Sequence, residues 1–212
     1  ENEFGVEEIR AYVLDRANFT NQTYSNSNIA LEINPLFIER FDQTFGIEAD
    51  NANDIGGLGS EEAMAFTYRF KVDIATVFVD DEGQGFCGFA YPLFRLSQDG
   101  ELLDFSIEGH VQSNFVSVDS NRCPSHALTH EIGHHLLAHH DRALYGDSLK
   151  ESGSYADYFY AHECDGKGTL MNESLNIWHD FFSSPQISRG DEPCGIADGE
   201  PEAADNVSVI NA

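Results

Sequence analysis

No stretch of the 212 residues reaches the run of about 18 apolar positions that a membrane-spanning helix needs. Basic residues are scarce, with 11 Lys and Arg against 37 Asp and Glu and a net charge of −26. Such a chain repels a phosphate backbone, which argues against nucleic acid and anionic membranes as partners. Only four cysteines are present, Cys87, Cys123, Cys164 and Cys194, and none forms a C-x-x-C pair. That even count fits two disulfides in an oxidising compartment better than a four-thiolate zinc site. There is no internal repeat, no low-complexity tract and no linker strong enough to divide the chain, so residues 1–212 are expected to form a single domain.

What is present suffices for a core: 41% of residues are hydrophobic and 12% aromatic. A chain of this size buries about 70% of its unfolded surface without help from metal. The acids are scattered, as on a heavily solvated surface. Calcium is the sharper reading of Asp50–Asp54 and Asp80–Glu82, but neither stretch has the spacing of an EF-hand loop, and calcium is left without a motif. Residue 1 is Glu with no basic-then-apolar leader behind it, so any export signal is expected to have been removed or to be absent.

Apolar residues at helical spacing predict a first helix from Val6 to about Asn26. Ile29 to Phe41 reads as an edge or irregular strand, because Pro35 cannot donate to a ladder. Ser60 is a good N-cap for a helix from Glu61 to about Phe70. Ile74 to Val79 reads as a buried strand, Gly83 to Gly88 as a turn, and Phe89 to Phe94 and Val111 to Val118 as further strands. The most informative helix is expected from Pro124 to about Ala138. Asp141 to Gly168 reads as a long irregular connection, and Glu173 to Phe182 as a last helix before a Pro/Gly-rich tail.

From His130 to Asp141 the chain reads HEIGHHLLAHHD. Residues four apart on a helix lie about 40° apart in projection, so His130 and His134 share a face and can close on one ion, with Glu131 beside them. Imidazole nitrogens suit zinc, and a carboxylate next to a zinc-bound water can take its proton. Leu128, Ile132 and Leu136 fall on roughly the opposite face, which gives the helix a core side. With 9 His in the chain, an HExxH arises by chance about 0.03 times, and about 0.001 times with another His ten positions after the first. A merely polar helix face is therefore the poorer reading. His110, His126, His135, His162 and His179 read as surface or locally bonded histidines.

These residues carry a resemblance. His130, Glu131, His134 and His140 match the metzincin pattern H-E-x-x-H-x-x-G-x-x-H at its ligand and catalytic positions, and Asp141 follows the third His as in the adamalysin or reprolysin-like branch. Gly168-Thr169-Leu170-Met171-Asn172 resembles that clan's Met-turn. Phe86-Cys87-Gly88-Phe89-Ala90-Tyr91 is similar to the segment bordering the substrate cleft in bacterial reprolysin-like enzymes. Phe182-Ser183-Ser184-Pro185 and Ala204-Asp205-Asn206 also look like that group, and the resemblance covers most of the chain. It implies an α/β (α+β) fold of zincin type: a mixed β-sheet with a long active-site helix in an N-terminal subdomain of about 1–140, then a mostly irregular C-terminal subdomain of about 141–212. It further implies zinc on His130, His134 and His140, Glu131 as general base, Met171 under the metal with Asp141 nearby, and peptide laid along Gly88, Phe89 and Ala90. For the disulfides it suggests Cys87 with Cys123 and Cys164 with Cys194, one of three connectivities.

The chain departs from the family at three places. Leu137 stands where the pattern has Gly, at the sharp turn that returns the third His to the metal. His140 is the expected third ligand, with His139 as a local rival and Glu173 as a distant one. The strand that usually precedes the first helix has only Glu1 to Gly5 to draw on, so either it lies before residue 1 or the sheet is shorter. Glu173, two residues after Met171, replaces the metal-binding Tyr of astacin-like members. The expected function is a secreted, monomeric zinc endopeptidase acting on protein or peptide. The alternative is a non-catalytic binding or inhibitor-like module on a degenerate zincin fold, against which the intact Glu131 argues. A closed structural zinc site is a further alternative.

Overall fold

The structure, a computed structural model, describes residues 6–36, 38, 69, 74–79, 87–90, 95–96, 102–104, 113–117, 123–145 and 159–212. Helix α1 (Val6–Asn26) starts with Glu7 and Glu8 in its first turn, where carboxylates favour the positive end of the helix dipole. Val13, Ala17, Thr20 and Tyr24 recur every three or four residues and are buried, which makes one stripe of this helix the inner face. It ends in a Schellman motif: Asn28 takes the left-handed conformation (φ 57°), and the Ile29 amide donates to the Tyr24 carbonyl at 2.9 Å. Ile29 and Tyr24 then join the same core cluster.

Beyond α1, residues 29–36 form no strand. The Asn21 side chain both accepts from the Ile33 amide and donates to its carbonyl, at 2.7 and 2.9 Å. One amide group thus does the work of a ladder partner, and Pro35 has no donor to offer a neighbour. The expected helix at 61–70 lies outside the described residues except for Arg69, which is helical. Most of the turn at 83–88, His110 and both acidic stretches considered for calcium also lie outside them.

The described sheet has three strands, β1 (Ala75–Val79), β2 (Gly88–Ala90) and, after the antiparallel pair β3 (Arg95–Leu96) and β4 (Leu102–Asp104), β5 (Ser113–Ser117). Its order is β1-β5-β2, with β1 parallel and β2 antiparallel to β5. The sheet is mixed, and among the described residues β2 lies at its margin. Helix α2 (Ala127–His135) packs on β2, β5 and α1. Leu128 and Ile132 enter the core with Ala127, Tyr24 and Phe182, and the Thr20 and Thr129 hydroxyls meet at 2.9 Å between the two helices.

Helix α2 is shorter than the span 124–138 read from the sequence. Residues 124–126 form a turn that leads into it. At the far end the Leu137 amide donates to the His134 carbonyl and the Ala138 amide to that of Gly133, a second Schellman motif with Leu137 at φ 70°. A helix cannot continue through that backbone.

Of the stretch read as an irregular connection, 146–158 lies outside the described residues. After the single turn α3 (Arg142–Tyr145), strands β6 (Glu163–Cys164) and β7 (Lys167–Gly168) form a hairpin inside the stretch read as irregular. Its two turn residues, Asp165 and Gly166, both have positive φ, as a type I′ turn demands. The helix expected at 173–182 is absent. Its amides are engaged elsewhere: Glu173 and Ser174 donate to the Asp141 carboxylate, Leu175 to the Asn172 side chain and His179 to the Gly168 carbonyl. The tail holds the hairpin of β8 (Ser184–Arg189) and β9 (Glu192–Cys194), then helix α4 (Asn206–Asn211), whose N-cap Asp205 accepts from the Ser208 amide. Disulfides join Cys87 to Cys123 and Cys164 to Cys194.

Candidate metal centre

His130 and His134 stand one turn apart on α2. The turn at Leu137 reverses the chain and brings His140 back against them. His140 Nε2 lies 2.9 Å from His130 Nε2 and 3.0 Å from His134 Nε2. The other ring nitrogens face carbonyls: His134 Nδ1 is 3.0 Å from the Ala138 oxygen and His130 Nδ1 3.4 Å from the Leu170 oxygen. A carbonyl only accepts, so Nδ1 of His130 and of His134 carries the proton, and the Nε2 atoms of these two rings present bare lone pairs. The donor set, three imidazole nitrogens converging on one point, therefore fits a metal ion and suits zinc.

Burial keeps these rings neutral. His134 is pushed down to about 4 by burial. His140 is pushed down to about 2 by burial and then by the His134 and His139 rings. His130 is held well below its ordinary value by burial, then by its ring neighbours. At neutral pH no proton has to leave before a metal enters.

His139, the local rival, turns the other way. Its Nδ1 accepts the His140 amide proton at 2.8 Å, and its ring packs edge-on against Phe159. Glu173, the distant rival, does reach the cluster: its Oε1 lies 3.2 Å from His140 Nε2 and 3.7 Å from His130 Nε2.

Glu131 is 6% exposed and is pushed up to about 8, by burial first and then by the Glu173 carboxylate. It lies against Gly88 of β2, with no room for a side chain there. Only the backbone of Phe89 is described, and Ala90 is half-buried two residues on. Beneath the helix, residues 169–172 make a turn closed by the Asn172 amide donating to the Thr169 carbonyl at 2.8 Å. Met171 in that turn is fully buried, and its sulfur lies where a Gly133 side chain would begin. Asp141 is buried and accepts from the amides of Leu144, Glu173 and Ser174 and from the Ser174 hydroxyl.

The carbonyls of Ala138 and Leu170 escaped the sequence reading, and a backbone group leaves no residue-type signal. The close approaches at Gly88 and Gly133 were marked only by the glycines themselves. His126 packs edge-on to Trp178 at 4.8 Å, and His179 faces the Cys164 carbonyl at 3.1 Å, so neither belongs to the cluster.

No curated protein matches the sequence. Among solved structures 21 chains match. One, described as the structure of a chaperone–substrate complex, superposes with a TM-score of 0.63 over 97% of this chain at 20% identity. That likeness concerns the fold alone, and this chain spans 33% of the other's length. A reprolysin-type family model, described as metallo-peptidase family M12, matches residues 1–183. That span runs from α1 through the three converging imidazoles to the turn under them, and the chain belongs to metallo-peptidase family M12.

Proposed function

We propose that the protein is a secreted zinc-dependent endopeptidase in which His130, His134 and His140 hold one zinc ion and Glu131 is the general base. The observation that carries the reading is the convergence of three imidazoles, with His140 Nε2 2.9 Å from His130 Nε2 and 3.0 Å from His134 Nε2, and a buried carboxylate on the same helix. Zinc, when bound, supplies a Lewis acid for the scissile carbonyl and acidifies a water to about neutrality. Glu131 accepts that water's proton and returns it to the leaving amine. Its burial supports this role, since a base works best when its affinity for the proton lies near the working pH.

Protein or peptide is the substrate class. In this reading an extended segment adds to β2 at Gly88, Phe89 and Ala90, because β2 lies at the margin of the described sheet. Residues of about 1–140 supply the sheet and the helix, and residues of about 141–212 form the floor: Met171 supports α2 at Gly133, and Asp141 fixes the segment behind it. Two disulfides support an extracellular location.

The test is Glu131→Gln. The variant should keep one zinc per chain and lose about 10²- to 10⁴-fold in casein cleavage, because an amide can neither take nor return the proton. A zinc-loaded variant that cleaves within a factor of two of wild type removes Glu131 from the mechanism. A wild-type protein that binds no zinc and cleaves nothing overturns the whole reading.

A further inference from the structure

We propose that Asn206 is a positioning residue for the third imidazole, setting His140 toward the metal through Phe159 and His139. The inference rests on the zinc reading above and deepens it. His140 stands outside α2, so a neighbouring segment must hold it in place. Residues 159–161 do so. The His139 amide donates to the Phe159 carbonyl at 2.9 Å, and the Ala161 amide donates back to the carbonyls of His139 at 3.1 Å and His140 at 3.3 Å. The His139 ring in turn takes the His140 amide at 2.8 Å.

Asn206 holds that segment in its turn. Its Nδ2 donates to the same Phe159 carbonyl that receives the His139 amide, so both lone pairs of that oxygen are engaged. The Ser183 hydroxyl accepts the Asn206 amide at 3.0 Å and donates to the Tyr160 carbonyl at 2.8 Å, which fixes the Asn206 backbone against the segment it serves. Asn206 is fully buried, and its Oδ1 meets no hydrogen-bond partner among the described residues. An oxygen buried unpaired costs stability, so the donor end is what this side chain contributes. The same stretch of chain touches the ligand loop twice more. Ala204 and Val209 share a core cluster with Leu137, before His140, and the Ala203 carbonyl accepts from the Arg142 guanidinium, after it. Residues 203–209 lie beyond the span of the family match, yet they grip the third ligand from both flanks.

Zinc affinity by chelator competition, and the visible spectrum with Co²⁺ in place of zinc, test this in Asn206→Ala and Asn206→Leu. Val13→Ala is the control, because Val13 is buried on α1 and takes no part in these bonds, so its truncation reports loss of packing alone. Both Asn206 variants should bind zinc about 10-fold more weakly, the lower end of the loss that follows removal of an outer partner of a ligand, and their cobalt bands should shift. Val13→Ala should keep the wild-type affinity and spectrum. Ser183→Ala removes the hydroxyl that holds both Asn206 and Tyr160; it carries the same expectation and serves if the Asn206 variants fail to fold. If the folded variants match wild type in zinc affinity and cobalt spectrum while His140→Ala loses metal, Asn206 positions nothing and the three-histidine reading stands. Equal weakening in Val13→Ala would reduce Asn206 to general packing and overturn its assigned role. If wild type takes up neither zinc nor cobalt, both readings fall.

Discussion

The carboxylate of Glu131 occupies the space that a side chain on Gly88 would need. A Cβ built at Gly88 would lie 2.3 Å from Glu131 Oε1 and 2.5 Å from its Cγ, closer than atoms in contact can stand. The margin strand and the proposed base are therefore a fitted pair, and the glycine is what makes the fit.

Gly88→Ala should push the Glu131 carboxylate out of place while leaving the three imidazoles alone. Peptide cleavage should fall by about 10²-fold or more, the lower end of what general base action contributes. Zinc content should not change. The comparison is turnover of casein beside metal stoichiometry in the same preparation; full activity in the alanine variant would mean that Glu131 does not work from this position.

Leu137 sets two effects against each other. Its φ of 70° costs about 1–2 kcal/mol for a residue with a Cβ. Its side chain, 8% exposed, packs with Phe159, Tyr160, Ala204 and Val209, and such burial is worth about 1.5–3 kcal/mol. Leu137→Gly relieves the strain but loses the packing and gains unfolded-state freedom, so it should destabilise the fold by about 1 kcal/mol. Leu137→Ala keeps the strain and loses most of the packing, for about 2–5 kcal/mol. Denaturant melts should rank wild type above Gly and Gly above Ala. A Gly variant more stable than wild type would show that strain outweighs packing.

His126 is pushed down to about 4, by burial and then by the Arg16 guanidinium. An unfolded chain takes up its proton near pH 6.5, whereas the folded one resists until about pH 4. Protonation thus favours the unfolded state in that window, and the stability present above pH 6.5 is lost as the pH falls toward 4. In the presence of chelator, the melting temperature should drop less between pH 7 and pH 5 in His126→Gln than in wild type. Equal drops would place the acid sensitivity elsewhere.

What the sequence made legible was whatever rests on periodicity or on residue chemistry at fixed spacing. Helix α1 could be read because Val13, Ala17 and Tyr24 fall on one stripe. The shared face of His130 and His134 followed from the four-residue step, whereas the turn at Leu137 was implied only by the resemblance to a family pattern that has Gly there. The hairpin at Asp165-Gly166 rests on a two-residue turn signal inside a stretch that otherwise reads as a long loop. Residues 173–182 misled because their composition suits a helix while their amides serve partners distant in sequence, above all Asp141. Long-range competition for backbone donors has no local signature. Glu173 stood as a distant rival ligand on sequence grounds and does come to His140 and His130, while the backbone bonds that hold it there had no local signature.

His134 and His140 meet through the turn between them, with the Ala138 carbonyl orienting one ring from within the same short stretch. The wall behind Glu131 comes instead from β2, and the carbonyl facing His130 from Leu170, both far along the chain. Local contacts form early in folding and distant ones late. In the zinc reading proposed above, capture of the ion by these two rings is thereby a local event, whereas the wall behind the base and the floor under the helix are set only when β2 and the turn at 169–172 dock on α2.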